Sequence, residues 1–184
     1  MVEFFKKLIG ERILKTRASK NKREKAFCNI DSMKSVGILF ENTGNMYVVA
    51  NKMMKFFLSR RIKISAIVFE NIKQSELENR KQFPTYVKIF TKSNLTWYGK
   101  PDCNETDKFM SQNFDVLIDM SRSSNYVFKY ISTLSMAKFK IGGIEYQNDP
   151  FDLILLEKSD DVTKFVSLII NFLSTIKVQN NARK

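Results

Sequence analysis

Histidine is absent from the 184-residue sequence, and this absence excludes more chemistry than any other feature of the composition. Without histidine there is no Ser-His-Asp or Cys-His arrangement, and the commonest general base is missing. The usual nitrogen ligand of zinc, copper and iron is missing as well. The composition therefore favours a protein that is not an enzyme and that uses no metal and no cofactor.

Cysteine, glycine and long apolar runs are also scarce. Cys28 and Cys103 form no CxxC pair, which excludes a disulfide framework and suits a reducing compartment. Six glycines give no convincing phosphate-binding loop. The most apolar stretch covers only residues 165–176, which is too short to span a bilayer, and the N-terminus shows no signal-peptide cleavage site. We therefore expect a cytoplasmic protein.

Positive charge is abundant and is concentrated near the N-terminus. The formal net charge is +12, which favours an anionic partner such as a nucleic acid or a membrane surface. The apolar residues of "MVEFFKKLIG" fall on one half of a helical wheel, so an amphipathic helix is predicted there. This helix continues into a basic run, which contains Arg12, Lys15, Arg17, Lys20, Lys22, Arg23 and Lys25.

The remainder of the sequence alternates apolar runs with helical patterns. The apolar runs are typical of strands that are buried on both faces, and we expect them over residues 36–40, 64–70, 85–90, 114–120, 139–143 and 151–157. Such alternation predicts one Rossmann-like α/β domain with a mostly parallel sheet. We therefore divide the chain into a basic helical extension, residues 1–30, and an α/β domain, residues 31–184.

Two loops offer groups that bind anions or bases. "SRSSN" follows the fourth predicted strand, and its Ser121, Arg122, Ser123 and Ser124 could together hold a phosphate; ordinary loop and capping roles are the alternative. "LTWYGKPD" places Trp97 and Tyr98 beside Lys100, a combination that can stack on unpaired bases. The alternative is a hairpin whose aromatic rings cover the edge of the sheet.

The stretch "FDVLIDMSRSSNYVFKYISTLSMAKFKIGG", residues 114–143, resembles the end of the N-terminal half of heptosyltransferase-like (GT-B) sugar transferases. Those enzymes have an apolar D-x-x-I-D strand, a helix and a short A-K-x-x-I-G strand at this place. The whole chain also resembles a family of small uncharacterised bacterial proteins. The first resemblance implies a Rossmann-like fold, but the chain has no room for the second half that holds a nucleotide-sugar.

These observations predict a non-catalytic RNA-binding accessory protein, with the ribosome as a candidate location. The basic run would contact phosphates, and the aromatic loop would add recognition of unpaired bases. The apolar half of the first helix would dock on protein, for example on the apolar final helix. One alternative is a peripheral protein of an anionic membrane surface. Another is a degenerate transferase-like module that binds a small phosphorylated ligand.

Overall fold

The computed structural model describes residues 2–73, 83–157 and 161–176, and these form a parallel α/β fold. The polar stretch predicted around residues 74–82 and the cap predicted at Ser159 lie outside the described residues. The strands are β1 (Ser35–Glu41), β2 (Lys63–Glu70), β3 (Val87–Thr91), β4 (Val116–Asp119), β5 (Phe139–Gly142) and β6 (Leu153–Ile154). The helices are α1 (Val2–Ala18), α2 (Met46–Ser59), α3 (Asn104–Ser111), α4 (Tyr126–Leu134) and α5 (Val162–Thr175).

The sheet has the order β3-β2-β1-β4-β5-β6, and every pair of neighbouring strands is parallel. The predicted α/β fold is therefore confirmed. The chain builds outward from β1 to β3 on one side and from β4 to β6 on the other. The strand order therefore reverses between β1 and β4, and open parallel sheets bind ligands beside the carboxyl ends of strands at such a point.

Each face of the sheet is covered by its own layer of helices. On one face, α2 and α5 bury Phe57 and Phe165 against the central strands. On the other face, α3 and α4 bury Phe109 and Phe128. Burying one such side chain contributes about 1.5–3 kcal/mol. Because helices cover both faces of the sheet, the apolar strands are buried on both faces, as predicted.

Helix α1 lies outside α4, and it belongs to the layer opposite α5. Its Leu14 is only 3% exposed and joins the core formed by α3 and α4. The expectation that the first helix docks on the final helix is therefore wrong within this chain. The physical reason is a set of specific contacts with α4, made by Gly10, Glu11 and Arg17.

A segment that we call the strap, residues 21–30, connects α1 to the rest of the fold. The Asn21 side-chain amide donates to the carbonyl of Leu134 at the end of α4, at 2.8 Å. The Phe27 ring packs edge-on against Phe139, with 5.0 Å between ring centroids. The Ile30 backbone N–H donates to the carbonyl of Leu173 in α5, at 2.9 Å. The strap thus joins the two helical layers.

Candidate nucleic-acid interface

A cleft of about 1030 Å³, which we call the edge cleft, lies at the carboxyl ends of the strands. Its walls come from the end of β2, the segment after β3, the start of α4, the loop between β5 and β6, and the start of α1. These parts are far apart in sequence, and the parallel sheet brings them to one edge. The cleft therefore occupies the position that the strand order predicts for a ligand.

The predicted aromatic loop, residues 95–101, forms one rim of the edge cleft. Leu95 and Pro101 form an antiparallel bridge, and the Thr96 backbone N–H donates to the Lys100 carbonyl at 2.9 Å. Gly99 adopts a φ of +86°, a conformation that closes the turn and that glycine adopts readily. Trp97 is 63% exposed on this fixed loop. Its ring therefore stands out from the sheet edge rather than covering it.

Helix α1 reaches the edge cleft because Gly10 allows it to approach α4 closely. A Cβ atom at Gly10 would lie 2.9 Å from Cζ of Tyr126. The Tyr126 hydroxyl donates to the Gly10 carbonyl at 2.7 Å, and Lys129 Nζ donates to both carboxylate oxygens of Glu11 at 2.7 and 2.8 Å. These contacts fix α1, so that Lys6 and Lys7 line the same cleft as the aromatic loop.

The lining of the edge cleft is basic. Among the residues that the structure describes, it contains four lysines, Lys6, Lys7, Lys92 and Lys129, and one acidic residue, Glu11. Lys129 is paired with Glu11, while Lys7 and Lys92 are exposed. Sequence reasoning missed Lys6, Lys7 and Lys92 as site residues. The signal for Lys92 was present, because it comes directly after β3 and therefore at the edge where ligands bind.

The eight cations predicted to bind RNA fall into different environments. Arg12, Lys15, Lys20 and Lys22 are exposed on α1 and just beyond it. Arg17 donates to the Tyr130 hydroxyl at 2.7 Å. In the strap, Arg23 is only 10% exposed and its Nη2 lies 2.6 Å from Oδ1 of Asp152, whereas Lys25 is 71% exposed and lies 3.2 Å from the same oxygen. Lys100 is bound by Asp102 at 2.7 Å.

The four residues predicted to bind a phosphate do not point to one place. Ser121 is buried, with its backbone N–H donating to Oδ1 of Asp119 at 2.9 Å. The Arg122 guanidinium lies over the Phe165 ring and donates to the Glu157 carbonyl at 3.0 Å, on the side of α5. Ser123 and Ser124 are exposed, and Ser124 lines the edge cleft. Of the four residues predicted to bind a phosphate, Ser124 is therefore the one that lines the edge cleft.

Two buried ionisable side chains lie beneath α4. Asp119 ends β4, is fully buried, and accepts hydrogen bonds from the Ser121 backbone and the Ser132 hydroxyl, the latter at 2.7 Å. Burial raises the pKa of its carboxyl above the ordinary value. Lys140 is 1% exposed and donates from Nζ to the Ser132 carbonyl at 2.6 Å. Both contacts bind the sheet to α4, and sequence reasoning gave no role to Lys140.

Across residues 2–73, 83–157 and 161–176, no three His, Cys, Asp or Glu side chains lie close enough together to bind a metal ion. Within the same residues, no helix combines the length and apolar character needed to cross a membrane.

The six parallel strands, the helices on both faces and the cleft at the reversal of strand order define a single-domain Rossmann-like α/β protein. Residues 5–176 match the model of a family of unknown function, DUF6913, and the chain belongs to this family. No curated protein and no solved structure matches the chain. The expected membership of an uncharacterised family is thus confirmed.

Proposed function

We propose that the protein binds single-stranded RNA along the surface formed by α1, the residues just after it and the rim of the edge cleft. The observation that supports this proposal is that the predicted aromatic loop and the start of the predicted N-terminal helix line one cleft. Trp97 and Tyr98, from the aromatic loop, line the same cleft as Lys6 and Lys7, from the start of α1. A strand of RNA could therefore contact both features at once.

The proposed roles of the basic residues and of the aromatic loop follow from their chemistry. Exposed lysines and arginines neutralise phosphates and release counterions, which supplies affinity without sequence preference. Arg12, Lys15, Lys20 and Lys22 are exposed and suit this role. An exposed aromatic ring stacks on an unpaired base, which selects single strands. Trp97 suits that role.

The cellular setting is part of the proposal. We propose a non-catalytic accessory protein that acts in the cytoplasm, with the ribosome as a candidate source of the RNA. A protein partner would meet the outer face of α1 or α5, where Leu8 and Leu168 are exposed. The resemblance of residues 114–143 to heptosyltransferase-like sugar transferases suggests an alternative, a degenerate module that binds a phosphorylated ligand at the same edge.

The test compares two double variants that remove the same charge from exposed helical positions. Arg12→Ala with Lys15→Ala alters α1, while Lys52→Ala with Lys55→Ala alters α2 on the opposite face. Binding of a fluorescent single-stranded RNA is measured by anisotropy over a range of salt concentrations. The α1 variant should flatten the log–log salt slope by about 1.4, since each phosphate contact on a single strand contributes about 0.7.

The α2 variant should leave that slope unchanged. Equal slopes for the two variants would mean that only the overall charge matters, and the proposed surface would be wrong. Trp97→Ala should weaken binding without altering the slope, because stacking releases no counterions. An unchanged affinity for Trp97→Ala would remove the aromatic loop from the interface.

A second candidate function, attachment to an anionic membrane surface, is favoured by one observation. Phe4 is 67% exposed and Phe5 is 53% exposed at the start of α1, and cations follow them along the helix. Apolar side chains beside basic residues suit the headgroup region of a bilayer. Sedimentation with phosphatidylglycerol vesicles that Phe4→Ala with Phe5→Ala abolishes, together with RNA binding that is absent, would favour this candidate over RNA.

A further inference from the structure

We propose that the edge cleft binds a nucleoside phosphate, with its base stacked on Trp97 and its phosphate held by Lys7 and Lys92. The ligand is a free nucleotide or one unpaired nucleotide of an RNA strand, and the second case rests on the proposed function. The cleft volume of about 1030 Å³ is ample for such a ligand, since pockets for small molecules occupy roughly 300–1000 Å³.

Trp97 is the first reason for choosing a nucleotide. Tryptophan is usually buried to a large extent, yet this side chain is largely exposed at the mouth of a cleft. The loop that carries it is held by the Leu95–Pro101 bridge, and Tyr98 packs edge-on against it with 5.3 Å between ring centroids. A fixed, exposed indole face is suited to stacking on a base.

The excess of positive charge in the lining of the cleft is the second reason, and it persists although Glu41, at the end of β1, attracts Lys92. Lys129 is neutralised by Glu11, and Lys100, just outside the lining, is neutralised by Asp102. Lys7 and Lys92 are exposed, and they enter the cleft from α1 and from the segment after β3. Two lysines that approach from different elements suit a phosphate, which accepts hydrogen bonds from several directions.

The polar side chains of the cleft distinguish a nucleotide from a simple phosphate ester. Asn71 and Gln147 are exposed in the lining; Asn71 follows β2, and Gln147 lies in the loop between β5 and β6. Each amide carries both a donor and an acceptor, which is what the edge of a base requires. A phosphorylated sugar without a base would leave the indole of Trp97 without an aromatic ring to stack on.

The chain itself supplies the probe for this proposal, because Trp97 is its single tryptophan. Its fluorescence therefore reports on the mouth of the edge cleft alone. The intact protein is titrated at low salt with AMP, adenosine, ribose 5-phosphate and inorganic phosphate. AMP should quench the emission to saturation and bind more weakly as salt is added. Adenosine should quench only at higher concentration, and ribose 5-phosphate should bind without comparable quenching.

Variants assign the two halves of the ligand, with calorimetry as the readout. Trp97→Ala should weaken AMP binding by about 5- to 150-fold, the range that corresponds to stacking on one base. Trp97→Phe should restore most of the affinity, because it keeps an aromatic ring. Lys7→Ala with Lys92→Ala should weaken AMP about tenfold and leave adenosine unchanged. Lys52→Ala with Lys55→Ala, on α2, is the control and should change neither ligand.

A single-stranded oligonucleotide identifies the source of the ligand. If the oligonucleotide quenches Trp97 and AMP displaces it, the cleft holds one nucleotide of an RNA strand. If AMP quenches Trp97 and the oligonucleotide does not, the ligand is a free nucleotide. RNA binding is then decided separately, by the salt slope of the α1 variant. Failure of both AMP and the oligonucleotide to quench Trp97 would overturn the inference. So would equal affinity of AMP and ribose 5-phosphate, while RNA binding through α1 would remain open to its own test.

Discussion

The N-terminal segment uses the same residue types in two different ways. On α1, Arg12 and Lys15 are exposed to solvent. In the strap, Arg23 is almost fully buried, with one guanidinium nitrogen on Asp152 and the other on the carbonyls of Ala137 and Lys138, at 3.1 and 3.0 Å. A block of positive charge in a sequence therefore contains both surface and structural cations.

What separates the two groups is the surface that each one meets. The carbonyls of Ala137 and Lys138 lie in the segment between α4 and β5, and Arg23 donates a hydrogen bond to each of them. Burial raises the pKa of Asp152, but the hydrogen bond and charge of Arg23 outweigh this effect, so the pKa lies below its ordinary value. An arginine in this position stabilises the fold and is not available to a ligand.

The largest effect should come from removing the buried cation. Arg23→Ala leaves Asp152 and two carbonyls without their main partner, and breaking a buried ion pair in this way costs about 3–5 kcal/mol. Chemical denaturation should therefore show a large loss in the free energy of unfolding. RNA affinity should stay unchanged under conditions where the variant is folded.

Lys25→Ala is the matched control, because Lys25 contacts the same oxygen of Asp152 but is mostly exposed. An exposed ion pair contributes about 0–1 kcal/mol, so this variant should be nearly as stable as the wild type. Similar losses for the two variants would contradict the distinction between buried and exposed cations of the strap.

A pH titration should give the next largest effect, through Lys140. The pKa of Lys140 is lowered from 10.5 to about 7, chiefly by burial, with the nearby charges of Arg23 and Lys25 adding to this effect and Asp152 opposing it. Between about pH 7 and pH 10.5, Lys140 binds a proton in the unfolded chain but not in the folded chain. The stability contributed by this group therefore increases as pH rises through the window and is smallest below pH 7.

The measurement is the difference in the free energy of unfolding between the wild type and Lys140→Met. This difference should change in favour of the wild type by about 2 kcal/mol between about pH 7.5 and about pH 9, since each pH unit is worth about 1.4 kcal/mol. Lys138→Met is the control. Asp115 raises the pKa of Lys138 through a hydrogen bond, so its charge stays constant over that window. A flat difference for Lys140→Met would show that the buried amine keeps its proton.

Gly10→Ala should have an intermediate effect, because it tests how α1 is held. The new methyl group would meet the Tyr126 ring, and overpacking costs about 1–3 kcal/mol. Alanine has a higher helix propensity than glycine, which offsets up to about 1 kcal/mol of this cost. The net loss in the free energy of unfolding should therefore be about 1 kcal/mol. Gly10→Ala with Tyr126→Leu should lose less than the sum of the single changes. Simple additivity in denaturation experiments would contradict the close contact between α1 and α4.

The fold was largely predictable from hydrophobic patterns. Continuous apolar runs, such as Val36 to Phe40, can be buried only in a sheet covered on both faces, and all six predicted strands are present. The lengths of the strands were harder to predict from the sequence. The sixth was predicted over residues 151–157, but it pairs with β5 only at Leu153 and Ile154, because Gly142 ends β5 at that level.

The candidate site was predictable only in part. The aromatic loop and the basic helix carry local signals in Trp97 and in the charge of residues 11–25. The loop shares one cleft with the start of α1 because Gly10 lets α1 approach Tyr126, a residue more than a hundred positions away. The burial of Arg23 depends in the same way on Asp152. Long-range partners of this kind leave no periodic trace in a single sequence.

The smallest effect should come from the outer face of α1, and it extends the comparison from cations to apolar residues. Leu8 is 57% exposed, whereas Leu14 on the same helix is buried against α4. Leu8→Ala should change the free energy of unfolding by less than about 0.5 kcal/mol, while its control, Leu14→Ala, should cost about 2–5 kcal/mol. Both values are measured by denaturation at two protein concentrations. A cost for Leu8→Ala that approaches that of Leu14→Ala, and that grows with protein concentration, would mean that a second copy covers this face.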